Sequence, residues 1–385
     1  MTPAARLSAA IEVLDRVLAG SPAEQALTNW GRASRFAGSG DRNAVRDLVY
    51  DALRCRRSHA AFGGGMTGRG LMLGALRAAG TDPAGLFTGI GHAPPPVGPG
   101  EEGRRPDDAE ALDLPDWLRP QMAEALGADL AAVAQALRQR APVFVRVNLR
   151  RGSVAQAIAA LAAEAMAAQS HPLADTALEV TAGARKIQTS QAYLTGLVEL
   201  QDAASQAVVN ALPLRDGMRV LDHCAGGGGK TLAMAARADL TLFVHDAFPA
   251  RMRDLPARAA RAGARVTLTD APESVAPFNL VLADAPCSGS GSWRRDPQGK
   301  WALTADRLAQ ICAVQDSILD RLAPMVADGG VLAYATCSLL RVENEDRVAA
   351  FLNRHPGWRV RDSRRFLPTQ GGDGFYLAQL TQSQA

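Results

Sequence analysis

Val220–Thr231 reads VLDHCAGGGGKT: a short apolar run, four consecutive glycines and the start of a helical pattern. Glycine lets a backbone approach a ligand closely, and the N-terminus of a helix favours negative charge. The two common phosphate-binding loops do not fit. Cys224 stands where GxxxxGK[ST] needs its first glycine, and Thr231 stands where GxGxxG needs its last. By itself the stretch therefore indicates a strand–loop–helix unit that holds a nucleotide-like ligand.

From about residue 201 onward, short apolar runs alternate with polar or glycine-rich loops and helical stretches. The candidate strands are Arg219–Asp222, Leu242–Asp246, Arg265–Leu268, Leu280–Ala283 and Val331–Ala335. This alternation predicts a parallel, doubly wound sheet. Such sheets bind ligands at the carboxyl ends of their strands, and the remaining motifs all follow strands at that end.

Two acidic residues close the second and third candidate strands. Asp246 lies 24 residues after Asp222, where an acid accepts hydrogen bonds from ribose hydroxyls. Asp270 is placed to contact an adenine edge. Either acid could instead cap the helix that follows it. Together with the glycine loop, the two acids favour an adenosine ligand.

The five cysteines are odd in number, widely spaced and without a CxxC pair, which argues against a disulfide framework or a structural zinc site. A lone cysteine is usually an inert buried residue. Cys287 and Cys337, however, follow candidate neighbouring strands beside the ligand loop, so we predict a chemical role for both. Cys55 and Cys312 lack such a context and are expected to be structural.

Four motifs resemble those of the RNA cytosine-5 methyltransferases of the Sun/RsmB type, whose pattern runs CAAPGGKT, DAPCSG, RRNPDxKW and TCS-x(4)-EN. They are Cys224–Thr231, Asp284–Gly289, Arg294–Trp301 and Thr336–Ser338 with Glu343-Asn344-Glu345. The resemblance spans about residues 115–380. One departure is Gly226-Gly227, where the family usually has Ala-Pro; the loop loses a proline restraint.

The resemblance implies roles for individual residues. Cys337 would be the nucleophile, Cys287 would assist product release, and Asp284 would hydrogen-bond the target base. The opposite assignment of the cysteines, as in DNA cytosine-5 enzymes, stays open. The implied cofactor, S-adenosyl-L-methionine, would be held by Cys224, Ala225, Gly226, Gly227, Gly228, Gly229, Lys230, Asp246, Asp270 and Asp284. The implied RNA contacts are Arg294, Arg295 and Lys300, and no metal is implied.

The rest of the chain suggests a multidomain protein. Residues 1–87 are predicted to be all-α and, around Asp41-Arg42 and Leu48-Val49-Tyr50, resemble a NusB-like RNA-binding domain. Residues 88–140 are expected to form a turn-rich linker and a helical connector. Residues 141–200 are predicted to be a small α+β, RRM-like unit with strands at 143–148, 178–181 and 186–189 and a helix at 154–169. Residues 201–385 would be the Rossmann-like class I methyltransferase domain.

Composition narrows the functional classes. The formal net charge is only +3, so any polyanion must bind through local arginines, such as those at positions 54, 56 and 57, which could equally form a solvated helix face. No signal peptide or membrane span is visible, and we expect a cytoplasmic monomer. The function that the resemblance implies is methylation of cytosine C5 in RNA, with small-subunit ribosomal RNA favoured, through a covalent adduct between Cys337 and C6 that is resolved with help from Cys287. The alternatives are a non-catalytic RNA-binding or ribosome assembly factor, or a methyltransferase with another acceptor.

Overall fold

The computed structural model describes residues 1–383. Its α-helices are α1 Pro3–Leu18, α2 Ala23–Ala33, α3 Ser39–Arg54, α4 Arg56–Gly63, α5 Gly68–Ala78, α6 Asp108–Ala111, α7 Arg119–Leu126, α8 Leu130–Leu137, α9 Val154–Ala163, α10 Gln191–Leu194, α11 Ala203–Asn210, α12 Gly229–Ala235, α13 Leu255–Ala262, α14 Pro297–Ala302, α15 Ala305–Leu322 and α16 Glu345–Arg354. Its strands are β1 Phe144–Val147, β2 Ala167–Ser170, β3 Ala177–Ala182, β4 Val198–Leu200, β5 Arg219–Asp222, β6 Thr241–Val244, β7 Thr267–Leu268, β8 Phe278–Asp284, β9 Val326–Thr336, β10 Trp358–Phe366 and β11 Phe375–Gln382.

The larger sheet has seven strands in the order β10-β11-β9-β8-β5-β6-β7. Strands β5 to β9 pair in parallel, as the sequence predicted, whereas β11 runs antiparallel to both β9 and β10. The prediction of a wholly parallel sheet is therefore wrong at this edge. No α-helix separates β10 from β11, and β10 carries mostly charged and exposed residues that hide its pattern.

Helices cover both faces of the central strands, because alternate strand residues point to opposite sides. On one face, α15 and α16 pack on Leu221, Val281, Leu332 and Tyr334. On the other, α11 and α12 pack on Val220, Leu280, Leu282 and Ala333. This three-layer arrangement leaves the carboxyl ends of β5, β6, β8 and β9 at a common edge, where the loops are free to form a site.

A second, four-stranded sheet has the order β2-β3-β1-β4, with every pair antiparallel. Two predictions for this region were wrong. The predicted strand at 186–189 lies in a 3₁₀ helix, Ala184–Thr189, entered through Gly183 in the left-handed region. The predicted helix at 154–169 ends at Ala163, because Ala165 has a φ of 58° and the chain then enters β2.

Contacts divide the chain into two compact units. The first contains Met1–Arg140 together with Trp293–Leu303, and the second contains Ala141–Ser292 and Thr304–Ala385. In the first, α1, α2, α3 and α5 enclose an apolar core around Val13, Val49 and Leu71. The sequence predicted contiguous domains, so the folding of Trp293–Leu303 with these helices was not expected. Among residues 1–383, no helix is both long and apolar enough to cross a membrane.

The first unit also contains a buried carboxylate, Asp113, with no solvent-exposed surface. It accepts hydrogen bonds from the backbone N–H of Arg57 (2.8 Å), from the N–H of Ser58 (3.0 Å) and from the Ser58 hydroxyl (2.7 Å). Arg138 forms an ion pair with it at 2.9 Å. Burial raises the pKa of Asp113, and these donors oppose that shift. Asp113 thereby ties the loop before α7 to α4 and α8.

We predict that Asp113→Ala lowers the free energy of unfolding by about 2–4 kcal/mol, because several buried donors lose their acceptor. Asp116→Ala is the matched control, since Asp116 is an exposed partner of Arg57, and should cost less than about 1 kcal/mol. Thermal and urea unfolding of the full chain measure both. Equal losses in the two variants would contradict the role given to Asp113.

Candidate active site

The loops at the carboxyl edge of the large sheet enclose a cavity of about 700 Å³. A volume of this size is typical of small-ligand sites. The glycine loop, the residues after β6 and both cysteine loops contribute to its wall, which includes Ala225, Gly226, Gly227, Asp246, Phe248, Arg251, Asp284, Cys287, Val314, Cys337 and Phe375. Most of the predicted site residues are thus gathered around one cavity.

The glycine loop is fastened to the end of β6. The Gly226 N–H donates to Oδ2 of Asp246 (2.8 Å), and the Phe248 N–H donates to Oδ1 (2.9 Å). Asp246 is 3% exposed, and Arg251 lies 3.5 Å from it. Gly226 and Gly228 have φ values of 53° and 80°, a region that side chains strongly disfavour. The loop therefore needs glycine at these two positions.

Arginines occupy the space beside Gly226-Gly227. Arg258 donates a hydrogen bond to the Gly227 carbonyl and lies 3.4 Å from Glu199. A Cβ at Gly227 would approach Arg258 Nη1 to 2.9 Å, and one at Gly226 would approach Arg251 Nη2 to 3.4 Å. The restraint that a proline would give is absent, but the Arg258 hydrogen bond fixes the backbone at the same point.

Behind the loop, buried polar groups link β5, α12 and β8. Lys230 Nζ lies 2.7 Å from Oδ2 of Asp284 and 4.7 Å from the centre of the Phe375 ring. Burial opposes the charge on Lys230, but the Asp284 carboxylate outweighs it and raises the Lys230 pKa. Asp222 accepts from the Thr231 hydroxyl (2.6 Å), and burial raises its pKa to about 7.

The two cysteine sulfurs lie 3.3 Å apart, so one thiol can donate a hydrogen bond to the other. The hydrogen bond from Cys287 lowers the pKa of Cys337, and Lys230 acts in the same direction. The same hydrogen bond and burial raise the pKa of Cys287, with a further contribution from Glu343. The arrangement favours a Cys337 thiolate beside a neutral Cys287 thiol. Burial raises the pKa of Cys224, which suits a structural role in the loop.

Some predicted residues lie elsewhere. Asp270 follows β7, is exposed and does not line the cavity, so its adenine contact stays a prediction. Lys300 and Arg294 are 1% and 4% exposed and belong to the helical unit. Lys300 Nζ donates to the Arg54 carbonyl (3.0 Å), and burial lowers its pKa to about 8. Because Lys300 and Arg294 are buried, their phosphate contacts stay predictions, whereas Arg295 is exposed.

Other residues at the site were not identified from the sequence. Phe248 and Arg251 line the cavity and are 68% and 58% exposed, but nothing in the sequence marks them except proximity to Asp246. Glu343 was noted only as part of a motif, and Gln315 not at all. Both are fully buried beside the cysteine loops. In residues 1–383, no group of three or more His, Cys, Asp or Glu side chains is arranged to hold a metal.

The sheet order and the ligand loop after its central strand define the Rossmann-like methyltransferase fold. Residues 209–381 match the model of the family described as 16S rRNA methyltransferase RsmB/F. Residues 114–187 match the ferredoxin-like domain of RsmF/B-like methyltransferases. The two matched regions, which together make up most of the chain, therefore belong to the RsmB/F methyltransferase family.

Individual relatives agree with this family. Ribosomal RNA small subunit methyltransferase B of Yersinia pestis bv. Antiqua is 32% identical over 282 residues, covering 69% of this chain and 66% of that protein, just under two thirds of its length. The crystal structure of PH0851 has a TM-score of 0.76 at 21% identity and covers 99% of both chains. NSun6 from Pyrococcus horikoshii with SFG has a TM-score of 0.62 at 17% identity, over 70% of this chain and 99% of that one. At these identities the two structures show the fold.

We predict that Gly228→Ala destabilises the loop by about 1–3 kcal/mol, because the residue must keep a positive φ and its Cβ would overlap Leu255. The built Cβ lies 2.2 Å from Leu255 Cδ1. Gly229→Ala is the matched control, since its Cβ meets only Gln201 Nε2, at 3.7 Å. Thermal unfolding midpoints of the two variants should differ clearly. Equal midpoints would show that the loop tolerates a side chain at both positions.

Proposed function

We propose that this protein methylates carbon 5 of a cytosine in RNA, with small-subunit ribosomal RNA as the substrate and S-adenosylmethionine as the methyl donor. The observation that carries the proposal is the pair of sulfurs 3.3 Å apart at the wall of the cavity, beside the Lys230–Asp284 pair. A methyltransferase acting on an oxygen or an exocyclic nitrogen has no use for two such thiols. The family names of the relatives support ribosomal RNA as the acceptor.

The cavity fits the methyl donor. Its volume of about 700 Å³ accommodates a nucleoside with an amino-acid arm. Asp246 presents a carboxylate for ribose hydroxyls, the loop Ala225–Lys230 lies along one wall, and the exposed Phe248 ring stands at the cavity for an adenine to pack against. When bound, S-adenosylmethionine supplies an electrophilic methyl group. NSun6 with SFG, an S-adenosylmethionine analogue, shares the fold and supports this choice.

The thiols solve the chemical problem that cytosine carbon 5 is a poor nucleophile. Cys337 sulfur forms a bond to carbon 6, and a ring nitrogen takes up a proton, so that carbon 5 gains enamine character. Asp284, held by Lys230, hydrogen-bonds the base edge and assists that protonation. Once carbon 5 carries the methyl group, solvent takes up its proton, the electron pair of that C–H bond re-forms the carbon 5–carbon 6 double bond, and Cys337 leaves as a thiolate. The ring nitrogen then gives back the proton that it had taken up. Cys287 assists this release. The base must leave its stack to reach Cys337.

The choice between the two cysteines follows from their surroundings. The hydrogen bond from Cys287 lowers the pKa of Cys337, and Lys230 acts in the same direction against burial and Asp284. The same hydrogen bond, burial and Glu343 raise the pKa of Cys287. A non-catalytic assembly factor drew its support from the Gly226-Gly227 departure. The hydrogen bond from Arg258 to Gly227 braces that part of the loop and removes this support.

The cysteine assignment predicts opposite outcomes for two variants. Cys337→Ala should lower methyl transfer by about 10³-fold or more, because the covalent step is lost. Cys287→Ala should accumulate a protein–RNA adduct, seen as a slow band on a denaturing gel, only when S-adenosylmethionine is present. Cys312→Ala is the control and should resemble the wild type. An adduct that accumulates in Cys337→Ala instead would reverse the roles.

The surface that binds RNA phosphates must be sought away from the arginines the sequence singled out. Arg54 is 6% exposed and donates to the Arg294 carbonyl (2.8 Å), Arg56 stacks on Trp301, and Arg57 pairs with Asp116. These guanidinium groups hold the helical unit together. All three arginines therefore have partners within the unit, and none of them serves mainly as a phosphate ligand.

A groove of about 410 Å³ between α2 and α3 offers the alternative, and its wall includes Trp30, Arg32, Arg42 and Arg46 but no acidic side chain. Arg32 and the neighbouring Arg35 are exposed and form no ion pair within the described residues. Phe36, between the helices, is 77% exposed, and an exposed ring can stack on an unpaired base. We propose this basic groove, lined by Arg32 and Arg42, together with the exposed Arg35 that follows α2, as the RNA contact of the helical unit.

The double variant Arg32→Ala/Arg35→Ala should weaken RNA binding and reduce the slope of log affinity against log salt by about 2, one unit per lost phosphate contact. The control is Arg16→Ala/Arg105→Ala, which removes the same charge from exposed positions outside the groove. Fluorescence anisotropy of labelled ribosomal RNA fragments over a salt series gives both slopes. The same slope for both double variants would exclude a specific role for the groove.

A further inference from the structure

Glu343 is a fully buried carboxylate that joins the two cysteine loops. The Ser288 N–H donates to Oε1 (2.7 Å), and the Ser288 hydroxyl donates to Oε2 (2.5 Å). The Ser338 hydroxyl donates to the same Oε2. Ser288 and Ser338 each immediately follow one of the two site cysteines. One side chain therefore fixes both loops, and with them the distance between the two sulfurs.

The surroundings of Glu343 supply hydrogen-bond donors to both of its carboxylate oxygens. Gln315 Nε2 donates to Oε1 (3.2 Å), so that four groups donate to this carboxylate. The Tyr334 hydroxyl donates to the Glu343 backbone carbonyl (2.6 Å) and fixes the turn that carries it. In the described part of the chain, no cation pairs with Glu343. A buried anion held only by neutral donors exerts a strong field on its neighbours.

The two sulfurs have different surroundings. The hydrogen bond from Cys287 is the largest influence that favours a Cys337 thiolate; burial and Asp284 at the end of β8 oppose it, and Lys230 on α12 and the Ser292 hydroxyl favour it. The Cys337 sulfur, burial and Glu343 all disfavour a thiolate on Cys287, whereas the Gly289 backbone favours one. The pair therefore has a preferred arrangement, Cys287–SH donating to Cys337–S⁻, after a single proton has left for solvent.

We propose that Glu343 is a positioning residue that holds the two sulfurs together and keeps their shared proton on Cys287, so that Cys337 is the attacking sulfur. Its significance rests on the proposed function, but the proton placement is a property of the protein alone. The carboxylate touches neither RNA nor cofactor in this role. It acts through Ser288 and Ser338 and through its charge.

The test is alkylation of the RNA-free full chain with iodoacetamide, with initial rates at each cysteine read by mass spectrometry between pH 6 and 9. In the wild type, Cys337 should react faster than Cys287. Glu343→Gln removes the charge at nearly constant size and should lower the Cys337-to-Cys287 rate ratio about tenfold, the equivalent of one pKa unit. Asp328→Asn removes one charge from an exposed position on β9 and should leave the ratio unchanged.

Two results would overturn the proposal. One is a wild-type Cys287 that reacts as fast as Cys337; the other is a folded Glu343→Gln protein with the wild-type ratio. Should Glu343→Gln not fold, Glu343→Asp retains the charge and must keep the wild-type preference, and loss of that preference would also overturn the proposal. Because no RNA or cofactor is present, these outcomes are separate from those of the methyl-transfer assay.

Discussion

The parallel pairing of β8 with β9 is the constraint on which the site depends. Asp284 pairs with Ala335, and the Ala285 N–H donates to the Ala335 carbonyl at 2.8 Å. Cys287 lies three residues beyond Asp284 and Cys337 two residues beyond Ala335, so that a fixed register brings two sulfurs 50 residues apart in sequence to 3.3 Å. A one-residue slip would turn the strand residues to the opposite faces and separate them.

Around this register, the site is organised by buried charge. Lys230 and Glu343 are both buried, one beside Cys337 and the other beside the Cys287 loop. In a medium of low dielectric such charges act strongly over short distances. The helical unit also contains a buried charge: Lys300 Nζ donates a hydrogen bond to the Arg54 carbonyl near the Asp113 carboxylate. A compact ammonium on a flexible stem fits both enclosures, where a planar guanidinium would need more room.

Some features of the fold and the site were predictable from local sequence patterns, and others were not. The strand β5 was predicted at its observed bounds, and the motifs around Asp246, Asp284 and both cysteines were placed at one edge, because parallel strands carry strong apolar patterns and end in marked loops. The antiparallel β10 and β11 were missed because charged and exposed residues dominate β10. The burial of Lys300 was not expected, because a motif marks a residue as important without indicating whether it is buried.

The sequence by itself determined the fold class, the family and the motifs that meet at the cavity, since these follow from local patterns and motif spacing. Only the tertiary structure decided that Trp293–Leu303 folds with the N-terminal helices, that Arg54, Arg56 and Arg57 are engaged within that unit, and that Glu343 bridges the two cysteine loops. The physical reason is that burial and hydrogen-bond partners are set by residues distant in the chain, and no local pattern records them.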